Sequence, residues 1–269
     1  MVAEMLGGAE LVEITTSGDR VRAAGDKSRF VKEIEEALLA GEVDLAVHSA
    51  KDVPGELPDG LEIAAVPPRA DPRDVLVGAE SLESLPAGAR IGTASIRRRS
   101  QLLALRDDLE IVELRGNVDT RLRKLEEGGY DAIVLAAAGL DRLGVPHAEG
   151  ARPLQAGDMT PAPGQGCLAL QIRSDDSGTR AAVERISDPV AFACLAAERD
   201  CVIALDATCD TPIGVLAECE DPKRIRIRAY AGAPDGSVWI RDELEAGPDA
   251  GRLLAERMLS AGVAEILAT

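Results

Sequence analysis

The first two thirds of the chain alternates short β-rich runs with segments of helical periodicity, and this alternation limits the fold more than any single motif. Repeated strand–helix–strand units with short links argue for α/β layers around a mostly parallel sheet. The opening MVAEMLGG reads as the end of a helix stopped by Gly7 and Gly8, followed by a strand over Leu11–Thr15. Ser28 can cap a helix through FVKEIEEALLA, whose Phe30, Val31, Ile34, Ala37 and Leu38 fall at helical spacing, with Gly41 as its stop. The runs DLAVH (44–48) and LEIAAV (61–66) read as strands, and Pro67-Pro68 with Asp71-Pro72 as a rigid crossing.

The alternation then restarts. DVLV (74–77), ARIG (89–92), LEIVEL (109–114) and DAIVLA (131–136) read as strands. Ser95 caps IRRRSQLLALR, Asn117 caps VDTRLRKLEE, and a short helix runs through AAGLDRLG. After a Pro/Gly-rich stretch (145–166), CLALQI (167–172) can return to the first sheet. The last third differs. Asp188-Pro189 opens a long helix through Ala204, then three antiparallel strands follow (PIGVLAEC, RIRIRAYAG, SVWIRDEL), and a helix from about Pro248 to Ser260 closes an α+β unit. The expected organisation is discontinuous: domain one over 1–68 and 167–186, domain two over 72–160, domain three over 188–269.

Charge narrows the function. The 269 residues carry 47 acidic and 30 basic side chains, a formal net charge of -17. Such a surface repels nucleic-acid backbone and anionic lipid, so neither is an expected partner. Of the basic residues 25 are Arg and 5 are Lys, which suits a chain that stays dissolved in strong salt and equally suits a GC-rich genome. No apolar run approaches the ~20 residues that span a bilayer, and the start lacks a basic region followed by an apolar core. A cytoplasmic protein with reduced thiols is expected.

Positive charge is concentrated in one place. Residues 90–124 carry nine basic and five acidic side chains, against 21 and 42 in the remainder. Arg97 and Arg98 lie in the first turn of their helix, just after Thr93 and Ser95; Arg115 ends a strand; Arg121 lies early in the next helix. Strand ends and helix starts share one edge of a parallel sheet, so these groups can converge on carboxylates or phosphates. Cations at a helix start oppose the macrodipole and call for a counter-charge. Surface arginines paired with Asp107, Asp108 and Glu110 are the plainer reading of the same run. A small polyanion suits the cluster better than nucleic acid, because the five aromatics supply no stacking platform.

Two further segments carry chemistry. In VHSAKDVP (47–54) a strand ends at His48 and four polar side chains emerge before Pro54. Asp52 beside Lys51 offers a carboxylate next to a cation, able to steer protons or stabilise a cationic intermediate, or simply a solvated loop with a surface ion pair. The cysteines fall at 167, 194, 201, 209 and 219, with no metal or redox spacing, and His48 and His147 are the only histidines, so no metal site is expected. Cys194 and Cys201 share a helix face and read as core, as do Cys167 and Cys219. Cys209 stands in the polar loop LDATCDTPIG, where a thiol can reach solvent or a ligand.

Taken together these segments resemble the porphobilinogen deaminase (hydroxymethylbilane synthase) family. The matching blocks run in order: FVKEIEEALL, DLAVHSAKDVP, DPRDVLV, LPAGARIGTASIRRRSQL, ELRGNVDTRLRKL, YDAIVLAAAGLDRLG, PAPGQGCLALQIR and CDTPIG. The resemblance implies an α/β fold of two periplasmic-binding-protein-like domains plus a C-terminal α+β domain with a small antiparallel sheet. It implies a monomeric transferase of tetrapyrrole (heme) biosynthesis that condenses four porphobilinogen units head to tail, releasing ammonia, on a covalent dipyrromethane cofactor. It places the cofactor thioether on Cys209 and the catalytic carboxylate on Asp52, which faces the cationic azafulvene formed when ammonia leaves. Each pyrrole carries an acetate and a propionate. The resemblance assigns these carboxylates to Lys51, Arg97, Arg98, Arg115, Arg121 and Arg142, with Ser49, Thr93 and Ser95 as donors and Gln165 as a hinge or cleft residue.

Three departures bear on that likeness. The family begins with a strand and a TR-x-S-x-LAL segment, and this chain starts after it, so the expectation is either an impaired chain or a start further upstream. Ala207 and Thr208 stand where many members have glycines before the cysteine. Gly25-Asp26-Lys27-Ser28-Arg29-Phe30 replaces a more glycine-rich run. The competing readings are a two-lobed α/β binding protein for small polycarboxylates and an inactive truncated relative.

Overall fold

The computed structural model describes residues 1–14, 28–144, 152–208 and 210–268. Three sheets organise them, and each stands on a different part of the chain.

The first sheet has the order β1-β8-β2, from β1 (Ala46–Ser49), β2 (Leu61–Ala65) and β8 (Leu168–Arg173). The returning strand β8 takes the centre rather than an edge, and its Ala169, Leu170, Gln171 and Ile172 are all buried, as a strand covered on both faces requires. Both of its pairings are antiparallel, which corrects the expectation of a mostly parallel sheet here. The cause is direction. The strand that closes this sheet comes back from the second unit and runs against both neighbours. The helix α2 (Ser28–Leu39) packs on it through Leu38, against Ala46 and Leu61. It ends as read from the sequence: Gly41, at φ +72°, donates to the Leu38 carbonyl and Glu42 to that of Ala37, a Schellman closure.

The strand expected over Leu11–Thr15 does not form over 11–14, and Thr15 lies outside the described residues. Leu11 and Val12 are 83% and 58% exposed. A β-prone run becomes a strand only where a neighbouring ladder takes its backbone groups, and no described strand pairs with this one. The preceding residues form the short helix α1 (Val2–Met5), ended at Gly7 and Gly8.

The second sheet has the order β5-β4-β6-β3-β7. Its strands are β3 (Asp74–Val77), β4 (Arg90–Gly92), β5 (Glu110–Val112), β6 (Ala132–Ala136) and β7 (Arg152–Pro153). β4 runs parallel to β5 and β6, whereas β3 is antiparallel to β6 and β7, so the sheet is mixed. Helices α3 (Ile96–Leu105), α4 (Val118–Glu126) and α5 (Ala137–Arg142) follow β4, β5 and β6. Ser95 and Asn117 cap α3 and α4 as expected, each accepting from the backbone N–H three residues on. Apolar side chains fill both faces, with Leu76, Ile91 and Leu102 on one and Val75, Ile133 and Leu135 on the other.

The third sheet is the antiparallel meander β9 (Ile213–Asp221), β10 (Arg224–Gly232) and β11 (Trp239–Ala246). Its inner face packs on α7 (Pro189–Ala204) and α8 (Ala250–Ser260), preceded in the chain by α6 (Ser177–Glu184). On its outer face the register sets Arg226 opposite Glu245 and Arg228 opposite Glu243. A further short helix, α9 (Val263–Leu267), follows Gly262 and was not legible in the sequence. Asp188 caps α7 by accepting from the Val190 and Ala191 N–H groups at 2.8 and 3.0 Å, with Pro189 at the first position.

α7 is apolar on nearly every side because it serves two cores. Ala191 and Leu195 pack on the first sheet's unit, while Cys194, Ala197 and Cys201 pack under the third sheet. From its middle, the fully buried Glu198 reaches the crossings between units. It accepts from Arg69 at 2.6 Å, from the Gly164 N–H at 2.6 Å and from the Ala217 N–H at 2.8 Å. Among the described residues no helix is long and apolar enough to cross a membrane.

The α7–α8 contact sets a sharp test. A Cβ on Gly251 would lie 1.9 Å from the Ala197 carbonyl oxygen and 3.0 Å from the Cys201 nitrogen, both backbone atoms of α7. Gly251→Ala is expected to force the helices apart and lower the thermal midpoint by several degrees in calorimetry. An unchanged midpoint would mean that this packing is not as drawn.

Candidate active site

The parallel strands β4, β5 and β6 deliver their carboxyl ends to one edge of the second sheet. Thr93 and Ser95 leave β4 there and start α3; α4 and α5 start beside them. Because β3 is antiparallel to β6, with Asp74 opposite Ala136, Asp74 begins its strand on this same edge.

Asp74 is the centre of the site's frame. It is fully buried and takes Arg97 Nη1 at 2.7 Å, Arg98 Nη2 at 2.7 Å and Nε at 3.1 Å, and Gln165 Nε2 at 2.9 Å. Burial works against its charge, yet Arg97 and Arg98 hold its carboxyl well below the usual carboxylate range. Backbone carbonyls accept from the same side chains. Arg97 Nη1 donates to the Thr160 carbonyl, Arg98 Nη1 to that of Val134, and Gln165 Nε2 to that of Pro72. Arg97, Arg98 and Gln165 are each at most 5% exposed. The two arginines at the start of α3 therefore have the counter-charge that their position calls for. Asp74 was not among the residues expected here. The only signal for it was an acid opening an otherwise apolar strand, DVLV.

The turn bearing Lys51 and Asp52 comes to this frame from the first unit. β1 ends at Ser49, and Ala50–Asp52 forms one turn of 3-10 helix. Ala50 N–H donates to the Cys167 carbonyl at 3.1 Å. Gly164 lies directly beneath: at φ +74°, a Cβ there would meet the Ala50 carbonyl carbon at 2.8 Å and the Lys51 nitrogen at 2.9 Å. Burial pushes the Lys51 ammonium down to about 8; Asp52 and Asp74 oppose that shift, while Arg98 and Arg97 add to it. The Lys51–Asp52 turn and the Asp74 frame thus share one electrostatic neighbourhood. His48 pairs within the first sheet. It is buried and donates from Nε2 to Gln171 Oε1 at 2.8 Å, and Gln171 donates in turn to Glu35 at 2.9 Å. Burial lowers its pKa and favours the neutral ring.

The other expected residues are placed as follows. Thr93 is buried and its Oγ1 accepts from the Ser95 N–H at 3.1 Å, while Ser95 Oγ caps α3. Arg121 is half-buried, donates to the Gly116 carbonyl at 2.7 Å, and has its pKa lowered by burial and by Arg98. Arg142, at the end of α5, donates to the Gly166 carbonyl at 2.8 Å, beside Gln165. Arg115 is exposed and paired with Glu113 at 2.6 Å, apart from the Asp74 frame. Cys209 lies outside the described residues, as do residues 25–27 of the other departure. At the stem of the Cys209 loop the left-handed backbone falls on Asp206 (φ 50°), not on Ala207 or Thr208. An aspartate tolerates that conformation, so the two residues that stand in place of glycines need no positive φ.

Replacing Asp74 measures the frame directly. Asp74→Asn leaves two buried guanidinium groups without a counter-charge, and the expected loss of folding stability is about 3 kcal/mol or more. The folded carboxyl titrates below its ordinary value of 3.8, so its contribution is complete above about pH 5 and fades as the pH falls further. Denaturant melts of wild type and variant should differ by a constant amount from pH 5 to 8 and converge in stronger acid. A gap that widens in acid contradicts the assignment.

Among the described residues no cluster of His, Cys, Asp and Glu could hold a metal ion. What the edge offers is cations and hydroxyl donors, the chemistry that binds carboxylates. Comparisons with known proteins agree in kind. Residues 1–181 match the family model for the dipyromethane cofactor binding domain of porphobilinogen deaminase, and residues 192–260 match that for its C-terminal domain. The porphobilinogen deaminase of Brevibacillus brevis is 44% identical over 96% of this chain and 86% of its own length; that of Thermus thermophilus is 46% identical over 95% and 86%. The Caulobacter vibrioides enzyme is 48% identical over 89% of this chain and 76% of its own. A periplasmic substrate-binding protein from Coxiella burnetii aligns at 17% identity over 61% of this chain and 79% of its own, but its TM-score of 0.38 carries no argument. On its sequence matches across both parts, this chain belongs to the porphobilinogen deaminase family.

Proposed function

We propose that the chain condenses four porphobilinogen units head to tail into hydroxymethylbilane, releasing ammonia, as a transferase of tetrapyrrole biosynthesis. The observation that carries this reading is the meeting of the Lys51–Asp52 turn with the cationic edge around Asp74. A dipyrromethane cofactor presents four carboxylates, and the donors at that edge fit it. We assign their binding to Lys51, Arg121 and Arg142, assisted by Ser49, Thr93 and Ser95, with Arg115 engaging a longer chain. Arg97, Arg98 and Gln165, turned toward Asp74, orient the set. The cofactor, held through Cys209, supplies the pyrrole α-carbon on which the chain grows.

Asp52 is the catalytic carboxylate of this proposal. Porphobilinogen becomes cationic on losing ammonia, and a fixed carboxylate beside the ring N–H stabilises that charge and aligns the ring for attack. Gly164 supports the role, because the turn bearing Asp52 rests on its backbone. In this reading the domains are 1–68 with 167–186, 72–160, and 188–269; the protein works as a monomer in the cytoplasm, away from membranes and nucleic acid. A purely binding role for polycarboxylates leaves the matched C-terminal domain without a task.

Three measurements test the proposal. Intact mass of the purified protein should exceed that of the polypeptide by one dipyrromethane, and Cys209→Ser should lack the excess; a bare mass in an active preparation rejects the cofactor site. Asp52→Asn should keep the cofactor but lose turnover by ~100-fold or more, and near-normal turnover removes Asp52 from the mechanism. Finally, a Lys51 that titrates at about 8 should cost carboxylate binding as it deprotonates. kcat/KM is expected to fall above about pH 8, and Lys51→Arg should move that alkaline limb upward. A limb unmoved by the substitution assigns it to another group.

A further inference from the structure

Cys194 and Cys219 are 25 residues apart in sequence, yet their Sγ atoms lie 3.5 Å apart, in van der Waals contact. They belong to different elements. Cys194 is on α7 and 4% exposed; Cys219 is on β9 and only partly covered. These elements are the two stems of one loop: α7 ends at Ala204, β9 begins at Ile213, and the segment between them holds Cys209. The other described thiols differ. Cys167 and Cys201 are fully buried and burial pushes each up to about 12; burial raises the Cys194 thiol as well, and what sets Cys194 apart is the Cys219 sulfur beside it.

We infer that Cys194 and Cys219 form a redox-sensitive pair, which a peroxide converts into a disulfide that pins α7 to β9, the two elements that flank the Cys209 loop. The more exposed Cys219 meets the oxidant first. Its sulfur attacks one peroxide oxygen, the O–O bond breaks, and water leaves, giving a sulfenic acid. The Cys194 sulfur then attacks that sulfur; the S–S bond forms, the S–O bond breaks, and a second water departs with the Cys194 proton. Two thiols have lost two electrons and two protons, and hydrogen peroxide has become two waters. The partners need not be brought together from a distance, because the fold already holds their sulfurs in contact. The inference rests on this contact alone and stands whichever reaction the protein catalyses.

Tryptic mapping tests it on the holoenzyme. Cys194 is the only cysteine of peptide 186–199, while peptide 200–223 carries Cys201, Cys209 and Cys219. After brief exposure to hydrogen peroxide and blocking of free thiols, digestion without reductant should yield the two peptides joined, lighter than their sum by two hydrogens, in the majority of chains. Dithiothreitol should separate them. Cys201→Ser should still form the link, and Cys219→Ser should not. Peptides that stay separate in the wild type, each with its thiols blocked, overturn the inference, and so does a link that survives Cys219→Ser. The wild-type digest decides the matter even if a variant fails to fold.

Discussion

A buried carboxylate, Asp74, holds two buried guanidinium groups, and most of the site's geometry follows from that contact. Two arginines in the first turn of a helix are repelled by its dipole and, once buried, by each other. Asp74 compensates both at 2.7 Å, and the carbonyls of Thr160 and Val134 accept further N–H donors. With its carboxyl held ionised across the ordinary pH range, the frame stays charged and fixed. It joins the start of β3, the start of α3 and the segment through Gln165, which are far apart in the chain. Lys51 and Arg121 are set against this frame, and their proton affinities register its charges.

A second buried ion pair, Arg69 with Glu198, does for the three units what Asp74 does for the edge. Glu198 sits inside α7, a helix that belongs to two cores at once, and its carboxylate accepts from the backbone of Gly164 and Ala217 as well as from Arg69. Gly164 in turn supports the turn of Lys51 and Asp52. The catalytic turn proposed here and the stem of the Cys209 loop are therefore referred to the same helix. Each buried charge in this junction is hydrogen-bonded, which is the condition under which such pairs are tolerated.

Much of this was legible in local signals. Ser95, Asn117 and Asp188 announce their helices because a cap acts within three residues, and Gly41 announces a stop for the same reason. The concentration of positive charge over 90–124 pointed to the sheet edge at which Arg97, Arg98 and Arg121 stand. What stayed hidden depends on long-range pairing. Nothing local says that Asp74 meets Arg97 and Arg98, that β3 runs against β6, that Gly164 passes under Ala50 and Lys51, or that Cys194 touches Cys219. The failed strand at 11–14 makes the same point in reverse: β-prone residues without a neighbouring ladder remain exposed coil.

The central place of β8 in the first sheet has a consequence for how the chain is made. Synthesis delivers β1 and β2 by residue 65, but the strand that lies between them ends only at Arg173. Residues 74–153, by contrast, contain every described strand of their own sheet. On the ribosome the strand order lets the middle unit close while the first still waits for its central strand. Until β8 arrives, the inner edges of β1 and β2 offer unpaired backbone to any neighbouring nascent chain, so this is the interval in which a chaperone has most to protect.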